Sequence, residues 1–226
     1  MDFGETLGVI GDVECKTHFF VMSLPQSDAV FVTGYPAETT EAFCDGHVSA
    51  FGFFGGIPKS IPYDNTKIAV ARILGDRTRV RTQRFTELQS HYLFDDKFGR
   101  PARGNNKGNV EGMVGYSRRN FMVPAPRFDS FDDLNAHLEQ RSLERPADKL
   151  CDHEQTIGER LISDRDALMG LPIAEYEACD HVSTRAMSIS AVRYHRNDYS
   201  MPVAYAPTTF TCVALCMRSS SAAAMK

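Results

Sequence analysis

The first sixty-three residues set three strand segments and two short turns ahead of one helix and one further strand, and few folds accept that order. Residues 2–10 alternate weakly, and Gly11-Asp12 then supplies a turn. Residues 16–24 (KTHFFVMSL) are rich in aromatic and β-branched side chains, Pro25-Gln26-Ser27-Asp28 turns again, and 29–35 (AVFVTGY) make a third strand. Connections this short join antiparallel neighbours, so the segment predicts a meander. Pro36 breaks it. Thr39 or Thr40 can cap a helix with Glu41 in its first turn, and Phe43, Val48, Phe51 and Phe54 mark one face up to the stop at Gly55-Gly56. Ser60-Ile61-Pro62-Tyr63 is the next strand. A strand reached through a helix crosses over, which predicts parallel pairing with the meander and so a mixed sheet.

Further along, residues 77–84 are basic and read as a loop or strand edge. Phe85, Leu88 and Tyr92 mark a short helix leading into a strand at 92–94, 97–108 (KFGRPARGNNKG) is a basic loop, and 109–121 is helical. The fold class is α/β, with helices flanking the sheet. Beyond Pro124-Ala125-Pro126, Ser130 caps a charged helix over 130–145, with Asp132 and Asp133 in its first turn, and 157–168 is weakly amphipathic. Residues 187–194 and 199–205 alternate about a turn at 196–198, as one hairpin of a small β unit. The run 219–224 is of low complexity and reads as disordered.

The net charge of −4 conceals a block structure. Residues 1–71 hold three Lys/Arg against nine Asp/Glu, 72–121 hold eleven against five, and 122–169 hold six against eleven. A basic block between acidic ones suggests a local polyanion site or a solvated basic face, and excludes a uniformly basic coat. No apolar run approaches the roughly eighteen residues a membrane helix needs. The acidic N-terminus is unlike a signal peptide, and six cysteines without CxxC pairs suit reduced thiols in a cytoplasmic protein. Cys151-Asp152-His153 and Cys179-Asp180-His181 echo one another and could offer four zinc ligands, although such spacing arises easily by chance.

Asp64 ends the short strand, where an acid needs a partner or a cation unless it caps an Asx turn. Asp2 lies on the first strand and Glu111 on the helix after the basic loop. Three clustered carboxylates repel one another unless a dication sits among them, and hard oxygen donors suit Mg²⁺ or Mn²⁺. Two such ions would clamp the attacking and leaving oxygens of a phosphodiester. Lys107, Glu111, Gly115 and Arg118 fall on one helix face, which fits a phosphate backbone or ordinary surface charge pairing.

Several stretches carry a family resemblance: Asp2-Phe3-Gly4-Glu5, Pro36-Ala37-Glu38-Thr39-Thr40, Phe53-Phe54-Gly55-Gly56-Ile57-Pro58, Tyr63-Asp64-Asn65-Thr66-Lys67, Lys107-Gly108-Asn109-Val110-Glu111 and Asn197-Asp198-Tyr199-Ser200-Met201-Pro202-Val203. From Asp2 to about Tyr205 the chain resembles the IstA-type insertion-sequence transposases, of the retroviral-integrase-like DDE superfamily. The resemblance implies an RNase H-like core with a mixed five-stranded sheet, then a helical linker and a partial small β-barrel. The expected boundaries are 1–125 for the catalytic core, 126–178 for the linker, 179–206 for the β unit and 207–226 for a disordered or aberrant tail.

It further implies that Asp2, Asp64 and Glu111 bind two Mg²⁺ (or Mn²⁺) ions and catalyse DNA 3′-end cleavage and strand transfer. DNA contacts are expected from Asn65, Lys67, Arg103, Lys107, Arg118 and Arg119. The implied partners are transposon-end and target DNA, an AAA+ ATPase helper and, at full length, sibling subunits in a homo-oligomer. No membrane partner is expected. Relatives carry helix-turn-helix elements ahead of the first acid and continue the β unit further, so the chain reads as truncated at both ends. Two other readings follow: a catalytically silent remnant that binds DNA or transposase subunits, and an RNase H-like nuclease without strand transfer.

Overall fold

The computed structural model describes residues 1–63, 70–73, 79–98, 108–151, 153–185, 187, 191–194, 197–200, 202 and 209–215. In chain order the elements are β1 (Asp2–Ile10), β2 (Val13–Leu24), β3 (Ala29–Tyr35), α1 (Thr40–Phe54), β4 (Ser60–Tyr63), β5 (Val70–Ile73), β6 (Arg79–Arg81), α2 (Gln83–Tyr92), β7 (Asp95–Phe98), α3 (Gly108–Phe121), β8 (Arg127–Phe128), α4 (Phe131–Glu144), α5 (Ile157–Ala167), β9 (Cys179–Arg185), β10 (Ala191–Tyr194), β11 (Asn197–Ser200) and β12 (Thr209–Leu215). Among the described residues no helix is long and apolar enough to cross a membrane.

Strands β1, β2 and β3 form the expected antiparallel meander, in register from Asp2↔Val21 to Ile10↔Val13 and from His18↔Tyr35 to Leu24↔Ala29. The first turn needs positive φ at both central residues, and Gly11 (56°) and Asp12 (62°) supply it. β2 alternates between two cores. Phe20 and Met22 face α1 with Phe43, Phe51 and Phe54, whereas Phe19 and Val21 face α3 and α4 with Val114, Phe121, Leu134 and Leu138. The result is a layer of helix on each side of the sheet. Thr39 caps α1 by accepting the Ala42 amide at 3.1 Å, and Gly55 ends it in the left-handed conformation at φ 78°.

The mixed sheet is present, but its recorded pairings differ from the expected five strands. The order is β3-β2-β1-β8, with β8 parallel to the far end of β1 through Val9↔Arg127 and Ile10↔Phe128. β4 pairs in parallel with β7, from Ser60↔Asp95 to Tyr63↔Phe98, and α2 is the crossover between them. The basic stretch around residues 79–81 forms a hairpin with β5. Thus the strand after α1 does cross over, and its recorded parallel partner is β7 rather than a meander strand.

Residues 127–167, which the sequence suggests as a linker, wrap the outer edge of the meander. β3 is an edge strand, yet all seven of its residues are buried. Asn135 of α4 makes this possible by mimicking a neighbouring peptide: its Oδ1 accepts the Gly34 amide at 2.6 Å and the Thr33 hydroxyl at 3.2 Å, and its Nδ2 donates to Gly34 O at 3.2 Å. The β2–β3 turn is gripped as well. Arg145 Nε donates to Asp28 O at 3.0 Å, Arg160 pairs with the Asp28 carboxylate at 3.4 Å, and the Ser27 amide donates to Asp164 at 3.1 Å. Replacing Asn135 by Leu should cost about 1–3 kcal/mol in urea unfolding, because it orphans the edge amide of the buried Gly34. An unchanged midpoint would mean that something other than Asn135 seals that edge.

At the C-terminal end, β12 pairs antiparallel with β9 along its whole length, from Thr209↔Arg185 to Leu215↔Cys179. Residues 209–215, expected in a disordered or aberrant tail, therefore form a strand. β10 and β11 pair antiparallel as the expected hairpin, but β11 begins at Asn197, inside the stretch 196–198 that the sequence suggests as the turn. Residues 219–224 lie outside the described residues.

Candidate metal centre and nucleic-acid surface

Strand alternation puts Met1 and Phe3 into the core beneath α1 and turns Asp2 and Gly4 to the opposite face. Asp2 is half-buried, and its Oδ1 accepts the amide of Phe3 at 2.9 Å, which fixes the carboxylate orientation. Two residues on, Gly4 lies beneath both the ring of its cross-strand partner Phe19 and Val114 of α3. A Cβ at Gly4 would stand 2.2 Å from Phe19 Cζ and 2.8 Å from Val114 Cγ1. Only a glycine lets α3 sit this close to β1.

That contact sets the register of helix on strand. Further on, a Cβ at Gly8 would stand 3.2 Å from Pro126 Cγ and the Val9 amide donates to Pro126 O, so α3 and the segment after it run the same way as β1. Asp2 lies two residues before Gly4, about 7 Å along the strand. Glu111 lies three residues before Val114, about 4.5 Å along the helix. Both acids therefore stand displaced toward the same end of the packed pair. The side chain of Glu111 is outside what is described.

The third acid follows Tyr63, the last residue of β4. Asp64 itself lies outside the described residues, as do Asn65, Lys67, Arg103 and Lys107. Tyr63 is buried, and its hydroxyl donates to His47 Nε2 at 2.9 Å. His47 Nδ1 faces Phe43 O at 2.7 Å, and a carbonyl only accepts, so the ring is the neutral tautomer with its proton on Nδ1. Burial pushes its pKa down to about 3. Val48, expected on the apolar face of α1, packs partly buried against the core. His47, at 0% exposure, joins that face between Phe43 and Phe51 at four-residue steps. The spacing 43, 47, 51, 54 was the available signal, and a histidine among phenylalanines obscured it.

Arg118 and Arg119 are exposed in the last turn of α3. The Glu5 carboxyl is held below the usual range, first by its hydrogen bond from Lys16 at 2.5 Å, with a smaller contribution from the Arg118 charge. Arg119 folds back along its own helix, its Nη1 3.3 Å from where a Gly115 Cβ would be. The open space at Gly115 is thus occupied by Arg119. Among the described residues no three His, Cys, Asp or Glu side chains converge as a metal cage, and of the three acids only Asp2 has a described side chain. Cys151 is exposed and Cys179 is buried.

No family model matches the chain. Individual relatives do. The transposase for insertion sequences IS1326/IS1353 of Pseudomonas aeruginosa is 36% identical over 211 residues, 91% of this chain and 40% of the relative. A transposase of Aminobacter aminovorans is 34% identical over 209 residues, with the same coverage. The transposase for insertion sequence element IS21 of Pseudomonas aeruginosa is 33% identical over 205 residues, 90% of this chain and 52% of the relative. The chain thus spans about two-fifths to one-half of these relatives. Among solved structures, the catalytic core domain of BIV integrase overlaps 73% of this chain and 95% of its own, at 12% identity and a TM-score of 0.47. A chain of the simian T-cell lymphotropic virus intasome overlaps 82% of this chain and 61% of its own, at 17% identity and a TM-score of 0.48. Likenesses this distant carry no weight. The sequence relatives do, and along 91% of its length, at 36% identity, this chain belongs to the family of insertion-sequence transposases.

Proposed function

We propose that the chain carries the chemistry of DNA transposition: metal-dependent cleavage at 3′ ends followed by strand transfer. The observation that carries this reading is the seating of α3 on β1 through Gly4 and Val114, because it displaces Asp2 and Glu111 toward one end of the pair. Asp64 is the third member of the site in this reading, one residue beyond the anchored ring of Tyr63. Three carboxylates are a hard-oxygen donor set that fits Mg²⁺ or Mn²⁺, and the half-buried Phe3 on one side of Asp2 and Gly4 beneath Val114 on the other hold that strand end in place. Two such ions, when bound, would supply Lewis-acid stabilisation of the attacking and leaving oxygens.

The protein's own groups orient the substrate. Asp2 is held by the Phe3 amide, so it meets a ligand with its carboxylate already placed. Arg118 and Arg119 offer planar cations to DNA phosphates, and Arg103, Lys107, Asn65 and Lys67 are further DNA-contacting residues in this reading. The partners are transposon-end and target DNA, a helper ATPase of the AAA+ class, and further transposase subunits.

The test is metal-dependent nicking of a duplex bearing a transposon end. Asp2→Asn, Asp64→Asn and Glu111→Gln should each reduce it by roughly 10³-fold, about 4 kcal/mol of transition-state stabilisation. Activity unchanged in Asp64→Asn would overturn the reading. Metal-independent DNA binding without nicking in the parent chain would point instead to a silent binding remnant.

A further inference from the structure

α1 contributes one polar side chain, His47, to an aromatic layer between the strand that carries Asp2 and the strand that ends one residue before Asp64. Phe3 follows Asp2 and packs edge-on against Phe20, with ring centroids 5.6 Å apart. Phe20 packs against His47 at 5.1 Å. His47 bonds to the hydroxyl of Tyr63, which precedes Asp64, and stacks on Phe94, the residue before β7, at 6.2 Å and 6°. The ring of Phe43 closes the layer from α1 at 4.6 Å. Gly46 lets the helix come this near, since a Cβ there would stand 2.6 Å from the Phe20 ring.

This layer does what the recorded strand pairings do not. β1 is paired with β2 and β8, and β4 with β7. The connection from Phe3 to Tyr63 runs through Phe20 and His47. Aromatic contacts are adaptable, because a ring can slide by tenths of an ångström at little cost. A hydrogen bond in an apolar interior is not, because losing it strands a buried acceptor. With Nδ1 committed to Phe43 O, Nε2 is directed at one point, and the Tyr63 hydroxyl occupies it.

We propose that His47 is a positioning residue for the metal centre: through the Tyr63 hydroxyl it holds Tyr63, the residue before Asp64, against the layer that packs on Phe3, the residue after Asp2. The inference rests on the transposase reading of the three acids. It predicts that the His47–Tyr63 hydrogen bond contributes to metal affinity separately from its contribution to stability, as partners that orient ligands do.

The experiment uses the full chain, binding of Mn²⁺ alone followed by electron paramagnetic resonance, and thermal unfolding. Tyr63→Phe keeps the ring and removes the hydroxyl. It should weaken Mn²⁺ binding about tenfold and lower the unfolding temperature. The double variant His47→Phe/Tyr63→Phe removes both polar groups together, so no buried acceptor is stranded. It should recover much of the stability while Mn²⁺ binding stays weak. Recovery of both would make the pair a satisfied core contact and overturn the proposal, as would unchanged Mn²⁺ binding in Tyr63→Phe. Asp64→Asn separates the two levels. If it abolishes Mn²⁺ binding while Tyr63→Phe leaves it intact, the metal centre stands and the positioning role falls. If Asp64→Asn leaves Mn²⁺ binding unchanged, the metal-centre reading fails and takes this proposal with it.

Discussion

An alanine at position 4 should destabilise the protein by about 1–3 kcal/mol and weaken divalent-metal binding at the same time. The new methyl group would have to occupy space held by Phe19 Cζ at 2.2 Å, Phe19 Cε2 at 2.5 Å and Val114 Cγ1 at 2.8 Å. Phe19 is fully buried among Val21, Val30, Val32 and Leu134, so its ring has no vacant direction in which to turn. The softer response is for α3 to lift, and that carries Glu111 away from Asp2. Gly52→Ala is the control. Nothing lies within 4 Å of the added methyl, and it sits inside α1, so it should gain about 0.5–1 kcal/mol without touching metal affinity. Urea midpoints and Mn²⁺ titrations of both variants decide the matter. If Gly4→Ala lost stability but bound Mn²⁺ as tightly as the parent, the helix–strand contact would not be what places Glu111.

The features legible in the sequence are those written in short-range chemistry. The meander follows from turn residues between β-branched runs, and Gly11 and Asp12 do adopt the backbone that a tight hairpin needs. Helix α1 follows from Thr39 at its start and Gly55 at its end, and α4 from Ser130, whose hydroxyl accepts the Asp133 amide. The features missed are all long-range. Asn135 reaches Gly34 across a separation of 101 residues, and nothing local distinguishes it from any polar helix residue. Leu134 and Leu138 lie on a helix that the sequence marks only by its charges and cap, yet both are fully buried against β3. The two residues of β8 follow a proline-rich break and offer no periodicity, and β12 lies in a stretch unlike the family pattern. Of the site, the three acids came from the strand-tip argument and the family resemblance together. The means of bringing two of them together, a glycine under a helix, shows only when β1 and α3 are seen packed.

The segment after residue 126 also changes how substitutions there should be read. Arg145 is 6% exposed, with its guanidinium 4.0 Å above the Tyr116 ring of α3 and its Nε on the carbonyl of Asp28. It thus ties α3, which carries Glu111, to the β2–β3 turn. A planar donor over an aromatic face is a geometry that lysine does not reproduce. The charged helices beyond residue 126 are therefore part of the framework that holds α3 down.

Acid should unfold this protein through His47. The ring is fully buried, with its two nitrogens facing Phe43 O and the Tyr63 hydroxyl and with Phe20, Phe43, Phe51 and Phe94 packed around it. Burial lowers its pKa to about 3, against an ordinary histidine value near 6.5 once the chain unfolds. Between those values the unfolded chain holds one proton more than the folded chain, so stability rises with pH across that window. The penalty is absent above about pH 6.5 and grows by about 1.4 kcal/mol per unit as the pH falls, reaching roughly 3 kcal/mol near pH 4.5. Carboxylates titrate over part of the same range, so the parent alone does not isolate the effect. His47→Phe/Tyr63→Phe does, because it removes the titrating ring and the hydroxyl it holds while leaving every carboxylate in place. Urea unfolding at pH 7.5 and pH 4.5 should show the parent losing roughly 3 kcal/mol more than the double variant between the two. Equal losses would mean that the His47 ring takes up its proton in the folded state, which its position between Phe43 O and the Tyr63 hydroxyl forbids unless the tip of β4 opens first.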